Sequence, residues 1–227
     1  MGGGLQTQYY NVYAQYFVKY IQAMQAKGII IDAVTIQNEP QHGGNNPSMV
    51  MSAQEQINFV KNNLGPAFQA AAIKTKIIVW DHNRDMMNQR ANIIFSDPEA
   101  SKYAWGLGFH WYETWAGEQP MFDNVRKVRE AYPTKNLLFT EGCVERFDAK
   151  KYQFWGNAER YGISMINDFN QGTVGWTDWN ILLDQTGGPN HLGNFCFAPV
   201  HADLNTGELI YTPSYYYIGH FSKFIRP

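Results

Sequence analysis

Five short apolar runs, near residues 34, 77, 107, 137 and 174, alternate along this chain with stretches of helical periodicity. Such alternation marks βα units feeding a parallel sheet, because each crossover needs a helix to bring the chain back to the same end. The runs also close in polar or aromatic residues: Asn38-Glu39-Pro40 after residues 33–36, Asp81 after 76–80, His110 and Tyr112 after 106–109, Glu141 after 137–140, and residues 176–180 on the last. Polar groups gathered at the C-terminal ends of strands favour a (β/α) barrel over a doubly wound sheet. The expected fold class is therefore α/β of the (β/α)8 TIM-barrel type, with about five of the eight strands present. Without an internal linker, residues 1–227 are expected to form one domain, a partial barrel. An open parallel edge in such a piece calls for a cover.

The helices announce themselves through spacing and caps. Tyr13, Phe17, Tyr20, Ile21 and Met24 recur at three- and four-residue steps, predicting a helix over 9–27 that Gly28 stops. Ser52-Ala53-Gln54-Glu55 has the form of a capping box. It predicts a helix running to about Leu64, where Gly65-Pro66 should end it. Further helices are expected over 87–95, 121–132, 155–170 and 214–224, the last leading to Ile225-Arg226-Pro227. Residues 41–51, rich in Gly and Asn, predict a long loop above the first strand, and residues 187–190 a turn without catalytic chemistry.

Composition excludes more than it selects. A net charge of -2 leaves no electrostatic footprint for nucleic acid or anionic membrane. No apolar stretch approaches the roughly 18 residues of a membrane span, so no stable membrane insertion is expected. Cys143 and Cys196 make no disulfide framework, and two free thiols are preferred over a pair. Seven Trp and fourteen Tyr would furnish either a large core or a surface that stacks on flat sugar faces.

Two strand-end glutamates are the minimum apparatus for cutting a glycosidic bond. In a closed barrel, Glu39 on the first visible strand and Glu141 on the fourth would face each other obliquely across the mouth. One carboxyl would protonate the leaving group, the other attack the anomeric carbon, and a separation of roughly 5–5.5 Å would mean retention. Asn38 is suited to bond a sugar hydroxyl beside Glu39. His110 and Tyr112, two apart on one strand, should share a face and orient or tune the nucleophile; the alternative for His110 is a satisfied core histidine. Trp179 and the Asn194-Phe195 pair would supply platforms and amides for a sugar, whereas Trp176 fits the core better. Asp81 serves equally as a third acid at the rim or as a helix cap.

Taken together, residues 35–40, 109–112, 139–143, 175–180, 187–190 and 220–225 resemble glycoside hydrolase family 30, with the motifs in family order over essentially the whole chain. The glucosylceramidases and microbial β-1,6-glucanases and β-glucosidases of that family are its nearest likenesses. The resemblance implies a (β/α)8 barrel and retaining hydrolysis of a β-glucosidic bond in a carbohydrate or glycolipid. Glu39 falls on the acid/base position and Glu141 on the nucleophile. Asn38, His110, Tyr112, Trp179, Asn194 and Phe195 fall on the sugar pocket. It implies no metal, no cofactor, and a secreted or otherwise extracellular setting. It also implies that this chain covers the third to eighth barrel helices and lacks three strands, an accompanying β-sandwich, and the pocket residues of those strands. Two other readings compete. A non-catalytic carbohydrate-binding relative or inactive fragment would need no paired acids. A metallohydrolase built on Asp81, His82, His110 and a Glu lacks any His-x-His or His-Glu-x-x-His spacing.

Overall fold

In the computed structural model the described residues are 2–44 and 48–225. Met1, residues 45–47 of the loop expected over 41–51, and the terminal Arg226 and Pro227 lie outside them. In chain order the elements are α1 (Tyr10–Ala26), β1 (Ala33–Thr35), α2 (Ala53–Phe59), α3 (Gly65–Ala70), β2 (Lys76–Asn83), α4 (Arg84–Phe95), α5 (Pro98–Ser101), β3 (Ala104–His110), α6 (Phe122–Ala131) and β4 (Asn136–Glu141). There follow β5 (Val144–Glu145), α7 (Trp155–Asn170), β6 (Thr173–Trp176), β7 (Leu182–Asp184), β8 (Cys196–Phe197), β9 (Val200–Ala202), β10 (Leu209–Tyr211) and α8 (Pro213–Phe224). They group into two compact units. The first comprises Met1–Thr140 with Gln171–Gly175, the second Glu141–Asn170 with Trp176–Pro227.

All five expected strands form and lie in one sheet in sequence order, β1-β2-β3-β4-β6. β1 pairs with β2, and β2 with β3, in parallel, with Val34 opposite Ile77 and Thr35 opposite Ile78. β2 is buried from Ile77 to Asp81, as the near-continuous apolar run of a strand covered on both faces requires. In the first unit, buried residues recur along α1 at Tyr10, Ala14, Val18 and Ile21, and Tyr10 packs edge-to-face on Phe59 at 5.7 Å. Tyr20, expected inward, is instead exposed. The inward stripe is set by small Ala14 and Val18, so the large ring one step off the stripe turns out.

Gly65-Pro66 does not end the second helix. The chain widens into a π-turn over Val60–Leu64 and continues as α3, with Pro66 in its first turn. The widened turn makes room for the proline ring, whose missing N–H cannot continue the helical bonds. Gly65 is needed for another reason: a Cβ on it would lie 2.3 Å from the Tyr103 ring.

The second unit holds what periodicity did not reveal. β5 pairs antiparallel with β8, and β10, β9 and β7 form a three-stranded sheet. Strands of two or three residues are too short to display an alternation. Helices α7 and α8 pack against one another, and Gly162 admits Tyr217, whose ring would lie 2.8 Å from an added Cβ. Cys143 and Cys196 are both buried and not joined in a disulfide, with their Sγ atoms 3.3 Å apart. Among the described residues, no helix is long and apolar enough to cross a membrane.

Candidate active site

The first unit gathers three expected site residues at the C-terminal ends of β1, β2 and β3. His110, wholly buried at the end of β3, places Nε2 3.1 Å from Asp81 Oδ1 and Nδ1 a longer 3.4 Å from Glu39 Oε1. Both ring nitrogens thus face carboxylates. Glu39 itself adopts a left-handed backbone, φ 46, uncommon for a side-chain-bearing residue. Its amide donates to Asp81 O at 2.9 Å, and its own carbonyl accepts from His42 N at 2.8 Å.

Asp81 reaches His110 because β2 is irregular. Trp80 and Asp81 both have positive φ, 72 and 65, and the pairing with β3 shifts register between Trp80 and His82. A bulge of this kind re-aims the side chain, and the displaced Trp80 amide is met by the buried Gln56 Oε1 at 3.1 Å. Asp81 is 4% exposed, and it caps no helix, since α4 begins after Asn83. Burial alone would raise its pKa. The hydrogen bond and charge of His110, with the Thr140 and Thr35 hydroxyls, outweigh that and hold the carboxyl below its usual range. Glu39 shows the same balance, burial raising and the His110 hydrogen bond and charge lowering, with a net lowered pKa.

Tyr112 lies just past the strand, on a 3-10 turn over Tyr112–Ala116, and not on β3 as expected. It still meets His110, edge-to-face at 5.9 Å, because its amide is held by Asn83 Oδ1 at 3.0 Å. Trp115 on the same turn stands exposed, 5.0 Å from the Tyr112 ring. Asn38 is exposed beside Glu39.

His82 carries the clearest pH signature. Among the described residues its Nδ1 is buried without a hydrogen-bond partner, and its ring stacks on Trp80 at 5.3 Å. Burial, the largest cause, lowers its pKa from 6.5 to about 4. Between those values the unfolded chain binds a proton that the folded chain refuses. Stability should therefore fall as pH drops from 6.5 towards 4, by up to ~1.4 kcal/mol per pH unit. A thermal-unfolding series across this window should show that slope, and His82→Gln should flatten it. An equal slope in the variant would exclude His82 as its source.

In the second unit Glu141 ends β4. The carbonyl of the next residue, Gly142, accepts from Trp179 N at 2.9 Å. Asp178, which the sequence reading passed over, accepts from Tyr161 OH on both oxygens at 3.0 and 3.1 Å. Burial, above all, and the nearby charge of Glu141 push the Asp178 pKa up to about 8, against the Tyr161 hydroxyl and the Trp179 amide. The one available signal was an acid set between Trp176 and Trp179 at a strand end. Trp179 and Phe195 are 45% and 41% exposed, as stacking platforms must be. Trp176, expected in the core, is only half-buried. Asn194 is exposed, and its amide donates to Asn190 Oδ1 at 3.0 Å, in a turn where the Phe195 ring covers Gly188.

Comparison with known proteins places the chain in a family. The profile of the glycosyl hydrolase family 30 TIM-barrel domain matches residues 1–225. The lysosomal acid glucosylceramidase of Mus musculus is 32% identical, over 96% of this chain and 43% of its own length. The crystal structure of SrfJ from Salmonella typhimurium superposes with a TM-score of 0.91 at 33% identity, over 99% of this chain and 49% of that one. An endo-β1,6-glucanase, BT3312, superposes with a TM-score of 0.85, also at 33% identity, over 99% and 50%. The chain thus spans about half the length of the relatives it matches. With a family profile met from its first residue to Ile225, this chain belongs to glycosyl hydrolase family 30.

Proposed function

We propose that the protein is a retaining β-glycosidase working on β-glucosidic bonds, with Glu39 as acid/base and Glu141 as nucleophile. The observation that carries this is a glutamate in the segment just after β1 and another ending β4 of the same sheet, with Glu39 bonded to His110 and through it to Asp81. Glu141 attacks the anomeric carbon while Glu39 delivers a proton to the leaving oxygen. Glu39 then takes a proton from the water that frees the sugar. The resting Glu39, held ionised by His110, is already in the form the second step needs. It must gain its proton as substrate binds.

In the same reading Asn38, Tyr112, Trp179, Asn194 and Phe195 line the sugar site, and His110 and Asp81 fix the orientation of Glu39. The substrate is a glucosylceramide, a β-1,6-glucan or a related β-glucoside, classes taken from the names of the relatives. The loop over 41–51 and the exposed turn at residues 115–119 set the choice among them. In this reading the five-stranded parallel sheet belongs to a (β/α)8 catalytic barrel, and the protein works in a lysosomal or extracellular setting. The reaction needs two carboxyls and water, and calls on no metal or cofactor.

Proton NMR of the anomer released from an aryl β-glucoside tests this. The β-anomer appearing first is the expected result and assigns double displacement. The α-anomer first would overturn the roles of Glu39 and Glu141. Binding without turnover, both here and on a chain lengthened at both ends, would favour the carbohydrate-binding reading.

A further inference from the structure

Asp178 has no role in the mechanism above, yet it sits where two segments of the second unit are tied together. The backbone bond from Trp179 N to Gly142 O, 2.9 Å, joins the residues that directly follow Asp178 and Glu141. It sets the two acids side by side along the joined segments. Tyr161 of α7, 1% exposed, then donates to both Asp178 oxygens. A buried tyrosine aimed at a half-buried carboxyl, one backbone hydrogen bond from a strand-end glutamate, is a costly arrangement to leave without a function.

We propose that Asp178 is a positioning residue for Glu141, fixed by the Tyr161 hydroxyl and by the Gly142–Trp179 bond so that Glu141 and Trp179 keep one mutual geometry. This rests on Glu141 being the nucleophile. With its pKa pushed up to about 8, Asp178 holds its proton near neutral pH. A protonated Asp178 adds no charge beside Glu141, so no repulsion between the two acids spreads the joined segments. Among the other ionisable groups of the second unit, Cys196 feels the charges of Glu145 and Glu141. Cys143 and Arg160 act on Tyr161, and Arg160 is itself paired with Glu145 at 2.8 Å. His220 and Lys223 of α8 line, with Asp178, an apolar cavity of about 1050 Å³. Neither basic group is among the causes that shift the Asp178 pKa.

Two measurements test the proposal, the first independent of turnover. Carboxyl ¹³C titration, with the Asp178 resonance assigned by its loss in Asp178→Asn, should show a midpoint near 8 in the native protein and a lower one in Glu141→Gln. An unmoved midpoint in Glu141→Gln would overturn the coupling, whether or not the protein hydrolyses anything. The second is kinetic. Asp178→Ala, measured well below its unfolding temperature, should lose ~10²-fold in kcat with KM nearly constant, the size expected when a reacting group is displaced by about an ångström. Asp178→Asn, which keeps an uncharged acceptor for Tyr161, should lose less, and Tyr161→Phe should fall between. A lowered unfolding temperature with native kcat would reduce Asp178 to a packing role and overturn the proposal. Silence of the native protein on every β-glucoside would instead count against the function proposed above and leave the titration to decide here.

Discussion

On the proposed mechanism, Glu141→Gln should lower turnover of an aryl β-glucoside by roughly 10⁴-fold or more, the size seen when an enzyme loses its covalent nucleophile, and leave the fold intact. The amide is isosteric with the carboxyl and Glu141 is only half-buried at the strand end, so packing is untouched while the attacking charge is gone. Glu39→Gln behaves differently. Proton delivery contributes ~10²–10⁴-fold, and only where the leaving group needs it. Aryl glucosides with acidic phenols should therefore react almost as before in their first step, while alkyl glucosides should slow by the full factor. A plot of rate against leaving-group pKa should be steep in Glu39→Gln and shallow in the native protein. A normal rate in Glu141→Gln, or native rates on alkyl glucosides in Glu39→Gln, would remove that residue from the mechanism.

Arg84→Met destabilises the protein by ~3–5 kcal/mol, the cost of stranding a buried charge. That lowers the unfolding midpoint by on the order of 10 °C for a chain of this size. Arg84 is 1% exposed, with its guanidinium 4.9–5.7 Å from the Phe109, Phe122 and Phe139 rings and 3.0 Å from Glu113 Oε1. Glu113 is 2% exposed and its Oε2 has no hydrogen-bond partner among the described residues, so it depends on Arg84 for compensation. Replacing both, Arg84→Met with Glu113→Leu, should recover most of the loss, because the apolar walls are already there. The two single variants and the double one form a cycle whose coupling reads the pair directly. A function rides on the same pair. Glu113 Oε1 also accepts from Met121 N at 3.3 Å, pinning the turn that carries Tyr112 and Trp115. Arg84→Met should therefore raise KM as well as lower the midpoint. An additive cycle, with no coupling between the pair, would refute this account.

The long strand–helix alternation was legible in the residues because its signal is local. A strand buried on both faces must be apolar throughout, and a capped amphipathic helix must repeat every three to four residues. For that reason the starts at residues 34, 77, 107, 137 and 174 coincide with β1, β2, β3, β4 and β6, and Ser52 with Glu55 forms the capping box in full. Breakers were less legible, since their meaning depends on what packs against them. Gly65 looked like a stop and is instead the place where Tyr103 needs room.

The acids at strand ends were visible as residue types, and the family motifs marked Glu39 and Glu141. What no spacing could disclose is which acid keeps its charge. Asp81 and Asp178 both follow apolar runs and look alike in the chain. A bulge turns Asp81 onto His110 and two hydroxyls, which hold it ionised. Burial, with the charge of Glu141 nearby, keeps Asp178 protonated up to about 8. Local periodicity decides where a strand begins and ends. Protonation depends on desolvation and on partners drawn from distant segments, and those exist only once the chain has folded.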